Sequence, residues 1–71
     1  MNQKLPTNIK PKQLIKTLNR HGFITRKGRG SHLRLQHPDG RWTQVAVHNR
    51  PIPPGTLKAI LRQTKLSISD L

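Results

Sequence analysis

Residues 26–34 carry the side chains whose types and spacing suit chemistry on a phosphate group. Four cationic side chains, two glycines and a serine lie around one histidine, His32. Glycine lets a backbone approach a phosphate closely, and cations neutralise the phosphate charge. Imidazole takes and gives a proton near neutral pH. Such a set is compatible with RNA cleavage by attack of the 2′-hydroxyl on the adjacent phosphate, a route that needs proton transfer and positive charge but no metal.

Each member of this segment has an expected role. In such a reaction His32 is the candidate that takes or gives the proton. The backbone at Gly28 and Gly30 permits close approach, and Ser31 is expected to hydrogen-bond a phosphate oxygen. The cations expected to bind and neutralise the phosphate are Arg26, Lys27, Arg29 and Arg34. One histidine cannot accept and donate in a single step without help, so the second proton-transfer group stays open: a cation, a water or a partner histidine.

The same segment also fits a purely structural interpretation. Gly28-Arg29-Gly30 is typical of a solvated hairpin loop, and His32 is then an ordinary surface residue. A basic glycine loop is a weak indication of a site by itself. The local sequence leaves both interpretations open.

The charge balance indicates a polyanionic partner. The 71 residues include 14 Lys and Arg but only 2 acidic residues, Asp39 and Asp70, for a formal net charge of +12. Phosphate neutralisation releases counterions, so nucleic acid is the leading partner class, whether or not it is cleaved. Two-metal nuclease and glycosidase mechanisms need paired carboxylates, so we expect no metal and no cofactor. Cysteine is absent, which excludes disulfides and cysteine-ligated zinc.

The other histidines and the single tryptophan are weaker candidates. His21 ends a predicted helix, where it is expected to interact with the carbonyl end, and His37 is expected to pack or cap at a turn. His48 follows the third predicted strand, where a loop hydrogen bond is favoured over a role near RNA. Trp42 either stacks on a base or packs against a helix or a partner. The histidine spacing does not match a zinc site.

Hydrophobic periodicity predicts the elements that position this segment. An apolar stripe predicts a first helix over 11–21, which begins at a proline and closes at Gly22. In the second predicted strand, His32 and Arg34 lie on the polar face. A Pro-Asp-Gly turn at 38–40 joins the last two strands. The β-rich stretches of the predicted antiparallel meander, which has one apolar and one polar face, are 23–26, 31–37 and 41–47.

A second helix and a short final turn complete the pattern. Pro54-Gly55-Thr56 opens the helix, whose core stripe is Leu57, Ile60 and Leu61. Ser67-Ile68-Ser69-Asp70 has the spacing of a capping box. The order is α-β-β-β-α, which predicts an α+β fold with two helices on one face of a three-stranded antiparallel sheet. We expect a flexible N-terminal arm over 1–10 and a single domain over 11–71.

The order of several short pieces resembles the HicA toxins, small mRNA interferases of type II toxin–antitoxin systems. Each piece is weak alone, but their order and spacing are specific, and they extend from about Pro11 to Leu71. The matching pieces are Gly22-Phe23, Gly30-Ser31-His32, His37-Pro38-Asp39-Gly40, Val45-Ala46-Val47-His48, Pro54-Gly55-Thr56-Leu57 with Ile60-Leu61, and Leu66-Ser67.

The resemblance implies a double-stranded-RNA-binding-domain-like fold, in agreement with the periodicity. It implies metal-independent mRNA cleavage, with His32 of the Gly-Ser-His motif as the catalytic residue, and a HicB-type antitoxin that covers the site. Three features depart from the family pattern. Ala46 replaces the usual proline between the valines, the loop before Gly30 contains an extra Gly28 with Arg29, and the final turn has one acid.

A non-catalytic module that binds double-stranded or structured RNA is the alternative function. In that case His32→Ala changes little, whereas Arg→Ala substitutions weaken binding and flatten its salt dependence. A passive ribosome-associated protein fits less well, because the charge is spread over a patterned domain. No apolar run is long enough for a membrane span and none resembles a signal peptide, so the expected location is the cytoplasm.

Overall fold

The computed structural model describes residues 4–71, so the first three residues of the predicted arm lie outside the described part. The elements in chain order are α1 (Pro11–Arg20), β1 (Ile24–Lys27), β2 (His32–Gln36), β3 (Trp42–Ala46), α2 (Pro54–Thr64) and a 3-10 turn, Ile68–Asp70. The predicted α-β-β-β-α order and α+β class are confirmed, and the arrangement is consistent with a double-stranded-RNA-binding-domain-like fold.

β2 is the central strand of the sheet and pairs antiparallel with both neighbours. Paired residues in adjacent strands point to the same side, and successive residues along a strand alternate between sides. We call the side turned away from the helices the open face. Three rows of paired residues cross it: Ile24–Gln36–Trp42, then Arg26–Arg34–Gln44, then His32–Ala46.

The core lies between the two helices and the other face of the sheet. Leu35 and Val45 supply the sheet side of this core and are 0% and 2% exposed. The predicted stripe of α2 is buried as expected. Removing apolar side chains from water stabilises the fold, so the helices cover the face of the sheet that carries them. The remaining core residues are Leu14, Leu18, Phe23, Ile52, Leu57, Ile60 and Leu61.

Arg41 connects the turn between β2 and β3 to the end of α2. Its guanidinium donates to the Thr64 carbonyl, and its Nε lies 2.8 Å from Oδ2 of Asp39. The same group lies over the Phe23 ring, 5.1 Å from the centroid. The backbone N–H of Arg41 donates to Asp39 Oδ1 at 3.0 Å, and this hydrogen bond holds the pKa of Asp39 below its ordinary value. The turn is therefore fixed to the helix layer.

The predicted capping box at the C-terminal end is present. The Ser67 N–H donates to Asp70 Oδ2 at 2.8 Å, and the Asp70 N–H donates back to the Ser67 carbonyl at 3.0 Å. The first of these bonds is the main cause that lowers the pKa of Asp70. The residues before α1 also touch the domain, because the Ile52 N–H donates to the Ile9 carbonyl at 2.8 Å and Leu5 packs against the core.

Candidate functional site

The basic segment forms a tight hairpin that fixes the backbone of His32. The Gly28 N–H donates to the His32 carbonyl at 3.1 Å, and the His32 N–H donates to the Arg29 carbonyl at 2.9 Å. Gly30 adopts a φ of +56°, in the left-handed region that favours glycine. The Val47 N–H donates to the Ser31 carbonyl at 2.9 Å, which joins the hairpin to the end of β3. His32 is therefore the first residue of β2 and is held on both sides.

His32 is exposed and shares a small cavity with His48. The cavity has a volume of about 280 Å³ and lies where the ends of β2 and β3 meet the start of α2. Its walls also include Thr56 and Ile60 of α2. Nδ1 of His48 accepts the backbone N–H of Arg50 at 3.2 Å, so the neutral ring carries its proton on Nε2. The predicted loop hydrogen bond of His48 is confirmed, and the same residue lines the cavity that His32 lines.

The four predicted phosphate-binding cations do not form one cluster. Arg26 and Arg34 face each other across β1 and β2 on the open face, in the row next to His32. Lys27 is the following residue of β1 and therefore points to the other side of the strand. Arg29 lies in the hairpin itself and is exposed. Like charges directly opposite one another destabilise a sheet, so the Arg26–Arg34 pair is better suited to an anion than to stability.

The remaining histidines occupy structural positions. His21 is the C-terminal cap of α1, one residue beyond its last helical residue. Nδ1 of His37 accepts the Asp39 N–H at 3.1 Å, and the ring meets Phe23 edge-on at 5.1 Å between centroids. The prediction for His37 is confirmed, whereas for His21 the structure shows the position at the helix end and its side-chain interaction stays a prediction. The ring of His37 lies close to Gly22, since a Cβ added to Gly22 would lie 2.9 Å from Nε2 of His37.

Trp42 lies on the open face and does not pack against a helix. It is 45% exposed, and the guanidinium carbon of Arg34 lies 4.2 Å from the centroid of its ring. Sequence analysis placed Arg34 on the polar face and gave Trp42 base stacking as one possible role, but it did not pair the two residues. The signal was available, because Arg34 and Trp42 lie diagonally across β2 and β3, within reach of an aromatic side chain.

The described chain offers neither a metal cluster nor a membrane span. Within residues 4–71, no group of three His, Asp or Glu side chains is placed to hold a metal ion. Over the same residues, neither helix is long and apolar enough to cross a bilayer.

Comparison with known proteins identifies the family. No curated protein matches the chain. A family model, described as HicA toxin of bacterial toxin-antitoxin, matches residues 11–66, which contain every strand and both helices. The match therefore covers most of the 71 residues and includes the hairpin, His32 and His48. This chain belongs to the HicA toxin family of bacterial toxin–antitoxin systems.

Proposed function

We propose that this toxin-family chain is an endoribonuclease that cleaves mRNA without a metal, with His32 as its catalytic residue. The observation that carries the proposal is the position of His32: exposed, fixed by the hairpin, next to the Arg26–Arg34 row and in one cavity with His48. A base, positive charge and a hydrogen-bond donor thus lie around one point of the surface. These are the services that attack by a 2′-hydroxyl needs.

The reaction proceeds in two steps that use the same proton twice. His32 takes the proton of the 2′-hydroxyl while that oxygen bonds to the adjacent phosphorus and forms a phosphorane. The P–O5′ bond then breaks, and His32 returns the proton to the departing 5′-oxygen. The products are a 2′,3′-cyclic phosphate and a 5′-hydroxyl. Because acceptance and donation are separate steps, one histidine serves both.

The negative charge of the phosphorane is stabilised by the groups around His32. Arg26, Arg29 and Arg34 supply positive charge, and Lys27 attracts the RNA from the other side of β1. Gly28 and Gly30 leave room for the phosphate, and the Ser31 hydroxyl hydrogen-bonds one of its oxygens. In its neutral form His48 donates from Nε2 to a second oxygen, since its Nδ1 is held by the Arg50 N–H.

A HicB-type antitoxin is the proposed protein partner. A partner that binds this cationic surface blocks access to His32 and stabilises a small, self-repelling domain by mass action. We place the activity in the cytoplasm, where mRNA is available. The reading frame next to the gene should encode a small protein whose surface complements the basic hairpin.

Cleavage in the presence of a chelator tests the proposal. Purified chain, freed of antitoxin and shown to be folded by circular dichroism, is incubated with mRNA in excess EDTA beside His32→Ala. We expect cut RNA with 2′,3′-cyclic ends in the first tube and intact RNA in the second. Intact RNA in both tubes refutes the enzyme, and cleavage only with added magnesium refutes the metal-free route.

A non-catalytic RNA-binding module remains the alternative, and the facing Arg26–Arg34 pair on a double-stranded-RNA-binding-domain-like fold favours it as a binding surface. The two functions differ in their response to His32→Ala. If the chain is a binding module, His32→Ala leaves its RNA affinity unchanged, and neither the parent nor the variant cuts RNA. If the chain is an enzyme, the variant stops cutting RNA but still binds it.

A further inference from the structure

The first row of the open face is the most apolar exposed part of the described chain. Trp42 and Ile24 are its two ends, 45% and 51% exposed, and no other large apolar side chain of residues 4–71 is as exposed. Gln36 lies between them. The proposed cleavage chemistry does not use this row, so its exposed ring needs another explanation.

Arg34 holds one side of the tryptophan ring. Its guanidinium carbon lies 4.2 Å from the ring centroid, a distance typical of cation–π stacking. Its Nε is buried and, among the described residues, has no hydrogen-bond partner. A buried donor without an acceptor costs stability, and natural proteins accept such costs mostly at functional positions. The stacked pair therefore indicates a surface kept flat for a ligand.

The rows lead from this ring to His32. Trp42 pairs with Gln36, and His32 lies four residues before Gln36 in β2, or about 13 Å away at the usual rise per strand residue. Arg26 and Arg34 form the row between them. The open-face rows include no carboxylate. An apolar ring, a pair of cations and then a histidine follow one another over the length of a few nucleotides.

We infer that Trp42 is a stacking site for an unpaired RNA base, a few nucleotides from the phosphate that His32 attacks. The inference rests on the proposed ribonuclease function and adds that the substrate must be single-stranded where it crosses this face. The exposed indole receives the base, Ile24 contacts its edge, and Arg26 and Arg34 bind the intervening phosphates. A base in a duplex is stacked on its neighbours and cannot offer its face to the ring. A row with two arginines next to one small apolar row, on a face whose rows include no carboxylate, suits a ligand that carries phosphates, as a nucleotide does.

The chain itself provides the reporter for this site. Trp42 is its only tryptophan and it has no tyrosine, so the intrinsic emission reports the environment of this ring alone. The probe is a single-stranded hexamer of 2′-O-methyladenosine, which carries no free 2′-hydroxyl and therefore cannot be cleaved. Two controls of equal length accompany it: a 2′-O-methyl duplex and an abasic strand that keeps the phosphates. Binding of each labelled strand is followed separately by fluorescence anisotropy.

We expect the single strand to quench the emission of Trp42, and the duplex and the abasic strand to bind without comparable quenching. Trp42→Leu should weaken binding of the single strand about tenfold, within the range found for loss of one stacked base. Its salt dependence should not change, because no phosphate contact is lost. Trp42→Phe should retain most of the affinity. Gln44→Ala, exposed on the same strand and face, is the matched control and should bind as the parent chain does.

Three results would overturn the inference. Binding of the single strand without a change in emission would leave a protein partner as the occupant of this row. Equal quenching by the abasic strand, or unchanged affinity in a folded Trp42→Leu variant, would show that no base stacks there. The EDTA assay keeps the two proposals separate. Quenching without cleavage refutes the nuclease and leaves the base site, whereas cleavage without quenching refutes the base site alone.

Discussion

The backbone N–H of Gly28 donates to the His32 carbonyl at 3.1 Å, and a Cβ on Gly28 would lie 2.7 Å from that same oxygen. Real Cβ atoms do not approach a carbonyl so closely, so a side chain at this position must move the backbone that carries His32. The extra glycine of the hairpin therefore fixes the position of the His32 backbone.

Gly28→Ala should reduce RNA cleavage at least tenfold and destabilise the fold by about 1–2 kcal/mol, because the added methyl group displaces the first residue of β2. The measurements are the cleavage rate and the urea midpoint. Gly55→Ala is the control, since nothing lies within 4 Å of a Cβ there. It should keep the rate and gain up to about 1 kcal/mol in the first turn of α2. Equal rates for both variants would refute the positioning role.

His48→Ala should lower the cleavage rate about a hundredfold, a typical loss for removal of one donor to a developing oxyanion. His48→Gln places an amide donor near the former Nε2 and should recover much of the rate. A proton-transfer role would instead be lost equally in both variants. His21→Ala, at the end of α1, is the matched histidine control and should cleave normally. Single-turnover rates with folded protein distinguish these outcomes.

Arg41→Lys should destabilise the domain by about 1–2 kcal/mol, because an ammonium group cannot both donate to the Thr64 carbonyl and stack on Phe23 as a guanidinium does. Arg62→Lys, exposed in the last turn of α2, should have almost no effect. Chemical denaturation of the two variants beside the parent chain measures the difference. Similar midpoints for both would mean that Arg41 contributes nothing as a connection between the turn and α2.

Acid should weaken the fold through the two side-chain carboxylates. The pKa values of Asp39 and Asp70 are lowered mainly by backbone hydrogen bonds, from Arg41 and Ser67 respectively. A lowered folded pKa contributes stability that is complete above the ordinary value, about 4, and is lost as the pH falls through the lowered value. The midpoint temperature of thermal unfolding should therefore decrease as the pH is lowered below 4. The double variant Asp39→Asn, Asp70→Asn should be less stable than the parent chain at pH 6. Below pH 4 its midpoint temperature should hardly change with pH. A parallel acid loss in that variant would contradict the assignment.

Local sequence signals predicted the elements well, because residues close to each element mark where it begins or ends. The first helix begins at Pro11 as expected and ends at Arg20, one residue early, since His21 caps it. β3 covers Trp42–Ala46 and is one residue shorter at each end than the predicted stretch 41–47. At its start, the Arg41 N–H donates to the Asp39 side chain rather than to a neighbouring strand. The capping box at Ser67 was readable from spacing alone. Such signals lie within a few residues of one another and need no knowledge of the fold.

The relationships across the fold were not predictable in the same way. The contact of Arg41 with Thr64 joins residues far apart in sequence, and nothing local marks an arginine as the cap of a distant helix. The same holds for His32 and His48, which line one cavity only because β3 returns alongside β2. Conversely, Lys27 looked equivalent to Arg26 in the basic segment, but alternation along β1 sends them to opposite sides. Residue types indicate which chemistry is possible, whereas strand pairing decides which of these residues share a surface.

Each strand of this sheet pairs only with its neighbour in sequence, so the sheet is assembled from two local hairpins. Local pairings of this kind form early and fast, and synthesis delivers them in order. The cavity that holds His32 is different, because Thr56 and Ile60 of α2 supply part of its wall. Strand pairing can therefore precede the packing of α2, and the cavity stays unfinished until that helix is in place. The docking of α2 is thus the folding step that completes the site.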